Sequence, residues 1–214
     1  MTDQQEHISA LKDIRNMMER SSRFISLSGL SGVGAGVAAL VGAFLAHREF
    51  SRFDQRSFDR SAEYSAGLNG EADLEFNLIR IAVGVLAAAL ASGFLFTWLK
   101  ARRSQLPLWD RTTRHMLVNL FVPLFAGGCF VLSLLFNSPA LVSPACLVFY
   151  GLALINASKY TLTDIRYLGY LEVVLGIVNL VFPGLGLIFW TIGFGLLHIL
   201  YGTVMYLKYE RKSA

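Results

Sequence analysis

Two ionisable side chains stand inside apolar stretches of this 214-residue sequence. Glu172 is the only acid in YLGYLEVVLGIVNLVFPG, and His198 lies within FWTIGFGLLHILYGTVMYLK. At the 1.5 Å rise of a helix, Glu172 lies about 9 Å beyond Arg166 and His198 about 15 Å before Lys208, so their depths are similar. An ionised side chain near a bilayer centre costs about 2.5–3.5 kcal/mol, which a contact between the two would partly offset. Glu172 and His198 are therefore a candidate intramembrane proton site.

The same two residues also have a structural interpretation. Pro183-Gly184 predicts a tight turn between the two stretches, so both belong to one helical hairpin. A bond from Glu172 to His198, to the backbone or to a tyrosine would then simply fasten that hairpin. The sequence leaves both interpretations open.

Ser31 suggests a third kind of chemistry. GLSG at 29–32 matches the GxSG motif around the nucleophile of rhomboid-type intramembrane proteases, and His198 at similar depth would serve as the base. However, the serine of that family lies in a later core span, and its histidine–asparagine motif in an earlier span is absent here. An intramembrane serine hydrolase is therefore only a remote alternative.

Small residues recur in SLSGLSGVGAGVAALVGA, the start of the first apolar stretch. Ser28, Gly32 and Gly36 are four residues apart and form the small-xxx-small face by which membrane helices approach closely. We expect a helix-packing face, which is also a candidate dimer interface. The stretch is not a phosphate loop, because no Gly-Lys-Ser/Thr follows.

Other catalytic and ligand-binding patterns are missing from the sequence. It contains no HExxH motif, no dinucleotide fingerprint and no carboxylate pair at catalytic spacing. We therefore expect no metal, no cofactor and no enzymatic activity.

The elements that carry these residues are membrane helices. The chain is 54% hydrophobic and only 16% charged, against about a quarter charged in soluble domains. Apolar runs of roughly 18 residues or more cross the ~30 Å hydrocarbon layer as helices. Six such runs predict an all-α integral membrane protein with six transmembrane helices, at about 24–46, 78–99, 116–136, 139–157, 167–183 and 186–207.

Lysine and arginine positions predict the orientation. Fourteen of the 19 basic residues fall on one predicted side: Lys12, Arg15, Arg20, Arg23, Lys100, Arg102, Arg103, Arg111, Arg114, Lys159, Arg166, Lys208, Arg211 and Lys212. The other side holds Arg48, Arg52, Arg56, Arg60 and Arg80. This places the N and C termini in the cytoplasm. The net charge of +4 is then an orientation signal, and we expect no nucleic-acid partner.

The polar segments complete the predicted organisation. Residues 1–23 read as a cytoplasmic amphipathic helix, residues 24–207 as the transmembrane domain and residues 208–214 as a cytoplasmic tail. In the outer loop, about 48–77, arginines four residues apart indicate that the first helix continues outward, and GLNG at 67–70 predicts a turn. Asp110 and Asp164 are each expected to cap the helix that follows.

Three segments resemble a group of small uncharacterised bacterial membrane proteins with six spans. They are MMERSSRFISLSGLSG, FYGLALINASKYTLTDIRYLGYLE and FGLLHILYGTVMYLKYERK, and the likeness extends over nearly the whole chain. The resemblance implies a location in the bacterial inner membrane. It brings no established activity.

The functional expectation has two parts. The first is a non-enzymatic accessory or regulatory membrane subunit, whose partners are the lipid bilayer and either a second copy or another membrane subunit. The alternative is a small transporter or proton-coupled permease that uses Glu172 and His198.

Overall fold

The computed structural model describes residues 28–59, 67–105 and 109–211. The predicted amphipathic helix over residues 1–23 lies outside the described residues, as do Arg60 and the last three residues of the predicted tail. Side chains are described except at 56–59 and 67–71, a range that includes Arg56. The described residues form helices and short connections, with no β-strand among them.

Five long helices come first. They are α1 (Gly29–Asp59), α2 (Gly67–Ser104), α3 (Arg111–Asn137), α4 (Val142–Ala157) and α5 (Asp164–Val181). The last span consists of α6 (Gly186–Trp190), a π-helical segment (Thr191–Leu197) and α7 (His198–Tyr209). Short 3-10 turns at Pro139–Leu141 and Pro183–Leu185 precede α4 and α6.

The all-helical class agrees with the sequence, and five helical stretches are long and apolar enough to cross a membrane. A bilayer favours this outcome because a helix satisfies its backbone hydrogen bonds internally. The helix α5 is not among the five. It has 18 residues and contains three charged ones, Asp164, Arg166 and Glu172.

The first two helices extend well beyond the predicted spans. Residues 48–59 continue α1, as the arginine spacing predicted, and α2 already begins at Gly67. Residues 67–70 therefore lie in the first turn of α2, and the turn predicted at GLNG is wrong. The low helix propensity of glycine and asparagine is a weak preference, which the structural context overrides here.

The helices pack in an open arrangement around the last span. On one side, α1 packs against the π segment and α7, and α2 packs on the outside of α1. On the other side, α5 packs against α4, and α3 lies outside α4. Apolar side chains from α4, α5, α7 and the connection between α4 and α5 meet in a small core: Leu154, Leu162, Ile165, Leu168 and Met205.

Both ends of the described chain meet at one end of the bundle. Glu210 accepts hydrogen bonds from the Gly29 N–H (2.6 Å) and the Ser28 hydroxyl (3.1 Å), and its Oε1 lies 3.5 Å from Lys100 Nζ. A carboxylate at a helix N-terminus satisfies otherwise unpaired N–H groups. This contact joins the start of α1, the end of α2 and the end of α7, and we call it the Glu210 clamp.

Candidate functional site

The candidate site lies on the buried face of α5. Its buried residues include Gly169, Glu172, Gly176 and Asn179, spaced three and four residues apart so that they share one face. The two glycines allow close packing against α4, because a Cβ at Gly169 would stand 2.8 Å from the Gly151 carbonyl oxygen. The polar side chains of Glu172 and Asn179 are therefore buried on the face where α5 packs closely against its neighbours.

Glu172 is completely buried. Its side chain is 0% exposed, and neither carboxyl oxygen has a hydrogen-bond partner among the described residues. The nearest group able to carry a positive charge is His198, whose Nδ1 lies 3.5 Å from Oε1. The structure thus brings together the two residues that the sequence singled out. Their separation is within the range of an ion pair but too long for a strong hydrogen bond.

His198 is held by two other contacts. Its Nδ1 lies 2.9 Å from the Gly193 carbonyl oxygen, and its Nε2 lies 2.7 Å from the Tyr150 hydroxyl. A carbonyl only accepts, so Nδ1 carries a hydrogen. In the neutral ring, Nε2 then accepts a hydrogen bond from Tyr150. Both ring nitrogens are satisfied without Glu172.

The π segment shapes the site from the last span. Gly193 precedes His198 by five residues, the separation of a π turn, and this brings its carbonyl to the ring. A Cβ at Gly193 would stand 2.6 Å from Glu172 Oε2. A larger residue there would displace the side chains of Leu147 and Glu172. Segments of π-helix occur frequently at functional sites.

Aromatic rings cover the histidine. Phe194 lies with its ring centroid 6.0 Å from His198 and 5.1 Å from Tyr150, and Trp190 continues the stack one turn earlier. These rings place apolar surface against His198 and Tyr150, and His198 itself is 6% exposed.

Asn179 is the second polar side chain on this face of α5. It is 0% exposed, and neither of its side-chain polar atoms has a hydrogen-bond partner among the described residues. It lies seven residues after Glu172, about 10 Å further along the helix. Because buried polar groups are nearly always paired, two unpaired ones in line are unusual.

The remaining candidate residues have other roles. The Ser31 hydroxyl donates to the Ser28 carbonyl of its own helix, and the ring nitrogens of His198 are directed to Tyr150 and Gly193. These contacts do not form a serine–histidine pair. Within the described ranges, no three His, Cys, Asp or Glu side chains cluster as a metal site would require.

The face containing Ser28, Gly32 and Gly36 is occupied within the chain. Gly32 lies against Gly202 of α7, and a Cβ at Gly36 would stand 2.7 Å from the Gly195 carbonyl oxygen of the π segment. Ser28 is buried in the Glu210 clamp. The surface that the sequence offered for a dimer thus packs against the chain's own last span.

Two site residues were missed by the sequence reasoning. Tyr150 and Gly193 were not singled out, although a tyrosine was considered as a partner for Glu172. The available signal was the spacing TIGFGLLH, in which Gly193 and Gly195 precede His198 within two turns.

Comparison of the chain with family models, curated proteins and solved structures finds no match.

Proposed function

We propose that this chain is a non-enzymatic, multi-pass protein of the bacterial inner membrane that works as a small proton-coupled permease. Glu172 and His198 form its proton-binding site. Six spans, with α5 as the fifth, place both termini in the cytoplasm.

One observation carries the proposal. The Glu172 carboxyl is fully buried and accepts no hydrogen bond from the described residues, whereas the adjacent His198 has a hydrogen-bond partner at each ring nitrogen. A carboxylate kept as a fastener would be hydrogen-bonded, because leaving a buried polar group unpaired costs about 1–3 kcal/mol. An ionisable side chain retained at such a cost inside a membrane helix is typical of proton and ion pathways.

The geometry allows one proton to be shared. With Glu172 as the neutral acid, His198 stays neutral and donates only to Gly193. With the proton on Nε2 of His198, the imidazolium faces the Glu172 carboxylate across 3.5 Å, and Tyr150 turns to accept from Nε2. Both forms are neutral overall, so neither leaves an isolated charge in the bilayer.

The placement in the membrane has independent support. The Gly29–Glu210 contact puts the first and last described residues at the same end, as an even number of spans requires. That end also holds Lys100 and Lys208, and the basic residues of the sequence favour the same side. Over its 18 residues α5 rises about 27 Å, close to the hydrocarbon thickness.

The test is proton flux in vesicles. Wild type, Glu172→Gln and Glu75→Gln are reconstituted with a pH-sensitive dye inside, and a proton gradient is imposed. Glu75 is an exposed glutamate on α2 and serves as the matched control. We expect wild type and Glu75→Gln to conduct protons and Glu172→Gln to fall to the level of empty vesicles, with thermal stability unchanged or raised.

A second candidate function is an accessory subunit, bound to another membrane protein or a second copy. The exposure of the outer helices favours this function. In the most apolar 18-residue window of each helix, the buried share of residues is 0% in α2 and 6% in α3, against 39% in α1. Such faces suit either lipid or a partner. Absence of flux in all three proteins, together with a less stable Glu172→Gln variant, would identify Glu172 as a fastener and favour this function.

A further inference from the structure

A cleft lies between α1 and α2, at the end of the bundle away from the Glu210 clamp. Its volume is about 720 Å³. The part nearer the middle of the two helices is apolar, formed by Val41 and Leu45 of α1 with Ile81 and Val85 of α2. The mouth is polar, formed by Glu49, Arg52, Asn77 and Arg80.

Depth in the membrane matches this division. Arg52 lies about 35 Å along α1 from Gly29, and Arg80 lies about 30 Å along α2 from Lys100, at 1.5 Å per residue. Gly29 and Lys100 both belong to the Glu210 clamp. Since the hydrocarbon layer is ~30 Å thick, the two arginines stand at the opposite interface, where lipid phosphates lie.

Polar contacts connect the residues at the mouth, where two arginines lie near one glutamate. Arg52 Nη1 lies 2.6 Å from Glu49 Oε1, and Asn77 Nδ2 lies 3.4 Å from Glu49 Oε2, so Glu49 links the two helices. Arg80 stacks over the Phe76 ring at 5.7 Å. Among the described lining residues, one carboxylate against two guanidiniums gives the mouth a charge complementary to a single phosphodiester anion.

We propose that this cleft binds an anionic phospholipid. The phosphate lies between Arg52 and Arg80, and one acyl chain follows the apolar wall between α1 and α2. Arginine suits this role because its planar fork donates two hydrogen bonds to phosphate oxygens. The inference rests on the proposed placement in a bilayer. It does not depend on proton transport, which the Glu172→Gln experiment tests separately.

Two variants test the two halves of the site. Arg52→Gln/Arg80→Gln removes the charges at the mouth, and its control is Arg48→Gln, an arginine that stacks on Phe44 outside the cleft. Gly84→Leu fills the apolar part, because Gly84 lines the cleft and a Cβ there meets nothing within 4 Å. Its control is Gly93→Leu, which is equally unobstructed on the same helix but does not line the cleft.

The measurement is the rise in unfolding temperature of detergent-purified protein titrated with dioleoylphosphatidylglycerol, followed by tryptophan fluorescence. Dioleoylphosphatidylcholine, whose head group is neutral overall, tests whether a net negative charge is needed. Glycerophosphoglycerol, the deacylated head group, tests the need for acyl chains. We expect wild type and both controls to bind the anionic lipid. The double variant and Gly84→Leu should each bind it about tenfold more weakly or worse, as loss of a charge-assisted bond or of chain burial implies.

Three results would overturn the inference. Equal binding of the anionic lipid by all five proteins would show that the cleft is not the site. Equal effects of the two lipids on wild type would show that the cleft does not select a head group with net negative charge. The same stabilisation by glycerophosphoglycerol in wild type and Gly84→Leu would identify a site for soluble anions instead.

Discussion

At the scale of single residues, the unusual feature is the inequality between Glu172 and His198. The histidine is fully bonded by Tyr150 and Gly193, and the glutamate beside it is not. This difference favours a histidine held in place beside a glutamate that gains and loses a proton, rather than a permanent salt bridge between the two. The hydrogen bond from Tyr150 is the contact that fixes the ring, and its removal should be measurable.

Tyr150→Phe should destabilise the protein by about 1–3 kcal/mol, because Nε2 of His198 is then buried without a partner. Tyr170→Phe is the control, since Tyr170 is 49% exposed on α5. Thermal unfolding in detergent compares both with wild type. A double variant that also carries His198→Ala should lose less than the sum of the single losses. Full additivity would contradict the Tyr150–His198 bond.

At the scale of helices, the two aspartates that were expected to cap helices, Asp110 and Asp164, have different contacts. Asp110 caps α3 as expected, accepting from the Thr113 N–H at 2.6 Å, and this bond lowers the pKa of Asp110. Asp164 does not cap α5. Its carboxylate instead binds Lys208 at 2.9 Å and the Tyr209 hydroxyl at 2.8 Å, both from the end of α7. Asp164 therefore joins two helices at the same end as the Glu210 clamp.

This difference predicts a pH dependence of stability. Burial would raise the pKa of Asp164, but the bonds from Lys208 and Tyr209 outweigh it and hold the pKa below its ordinary 3.8. The carboxylate thus stabilises the fold above about pH 4 and loses this effect as pH falls through the lowered value. Asp164→Asn should cost about 1 kcal/mol at neutral pH, since Lys208 is partly solvated.

The measurement is the unfolding temperature of wild type and Asp164→Asn between pH 3 and 8. We expect a constant gap from pH 5 to 8 that narrows below pH 4. Asp54→Asn, which alters an exposed aspartate on α1, should match wild type throughout. A gap at pH 3 as large as the gap at pH 7 would show that the Asp164 charge is not responsible.

At the scale of the whole molecule, α5 decides the number of spans. Its three charged residues all fall within its 18 residues, yet its buried face runs from Ile165 to Asn179 along α4 and the last span. A helix buried along its length between two spans is expected to cross with them. Its two ends should then lie on opposite sides of the membrane.

Cysteine labelling tests this topology. In a background with Cys129→Ala and Cys146→Ala, single cysteines replace Lys159 before α5 and Gly184 after it. Both positions are exposed, and a Cβ at Gly184 meets nothing within 4 Å. An impermeant maleimide applied to intact spheroplasts should label Gly184→Cys at once and Lys159→Cys only after permeabilisation. Equal labelling of the two would mean that α5 does not cross.

The sequence by itself determined the helical class and five helices that are long and apolar enough to cross a membrane, because a bilayer admits only long apolar segments with internally satisfied backbones. It also singled out Glu172 and His198, since an ionisable residue is conspicuous in an apolar run. It predicted the Asp110 cap, which depends only on residues three apart.

The tertiary structure decided which faces meet. An apolar face that packs on protein and one that faces lipid look alike in hydropathy. Residue spacing along one helix therefore could not assign Ser28, Gly32 and Gly36 to the chain's own last span. The Tyr150–His198 bond and the Asp164–Lys208 pair join residues 44 to 48 positions apart, and only the packing of separate helices brings such residues together.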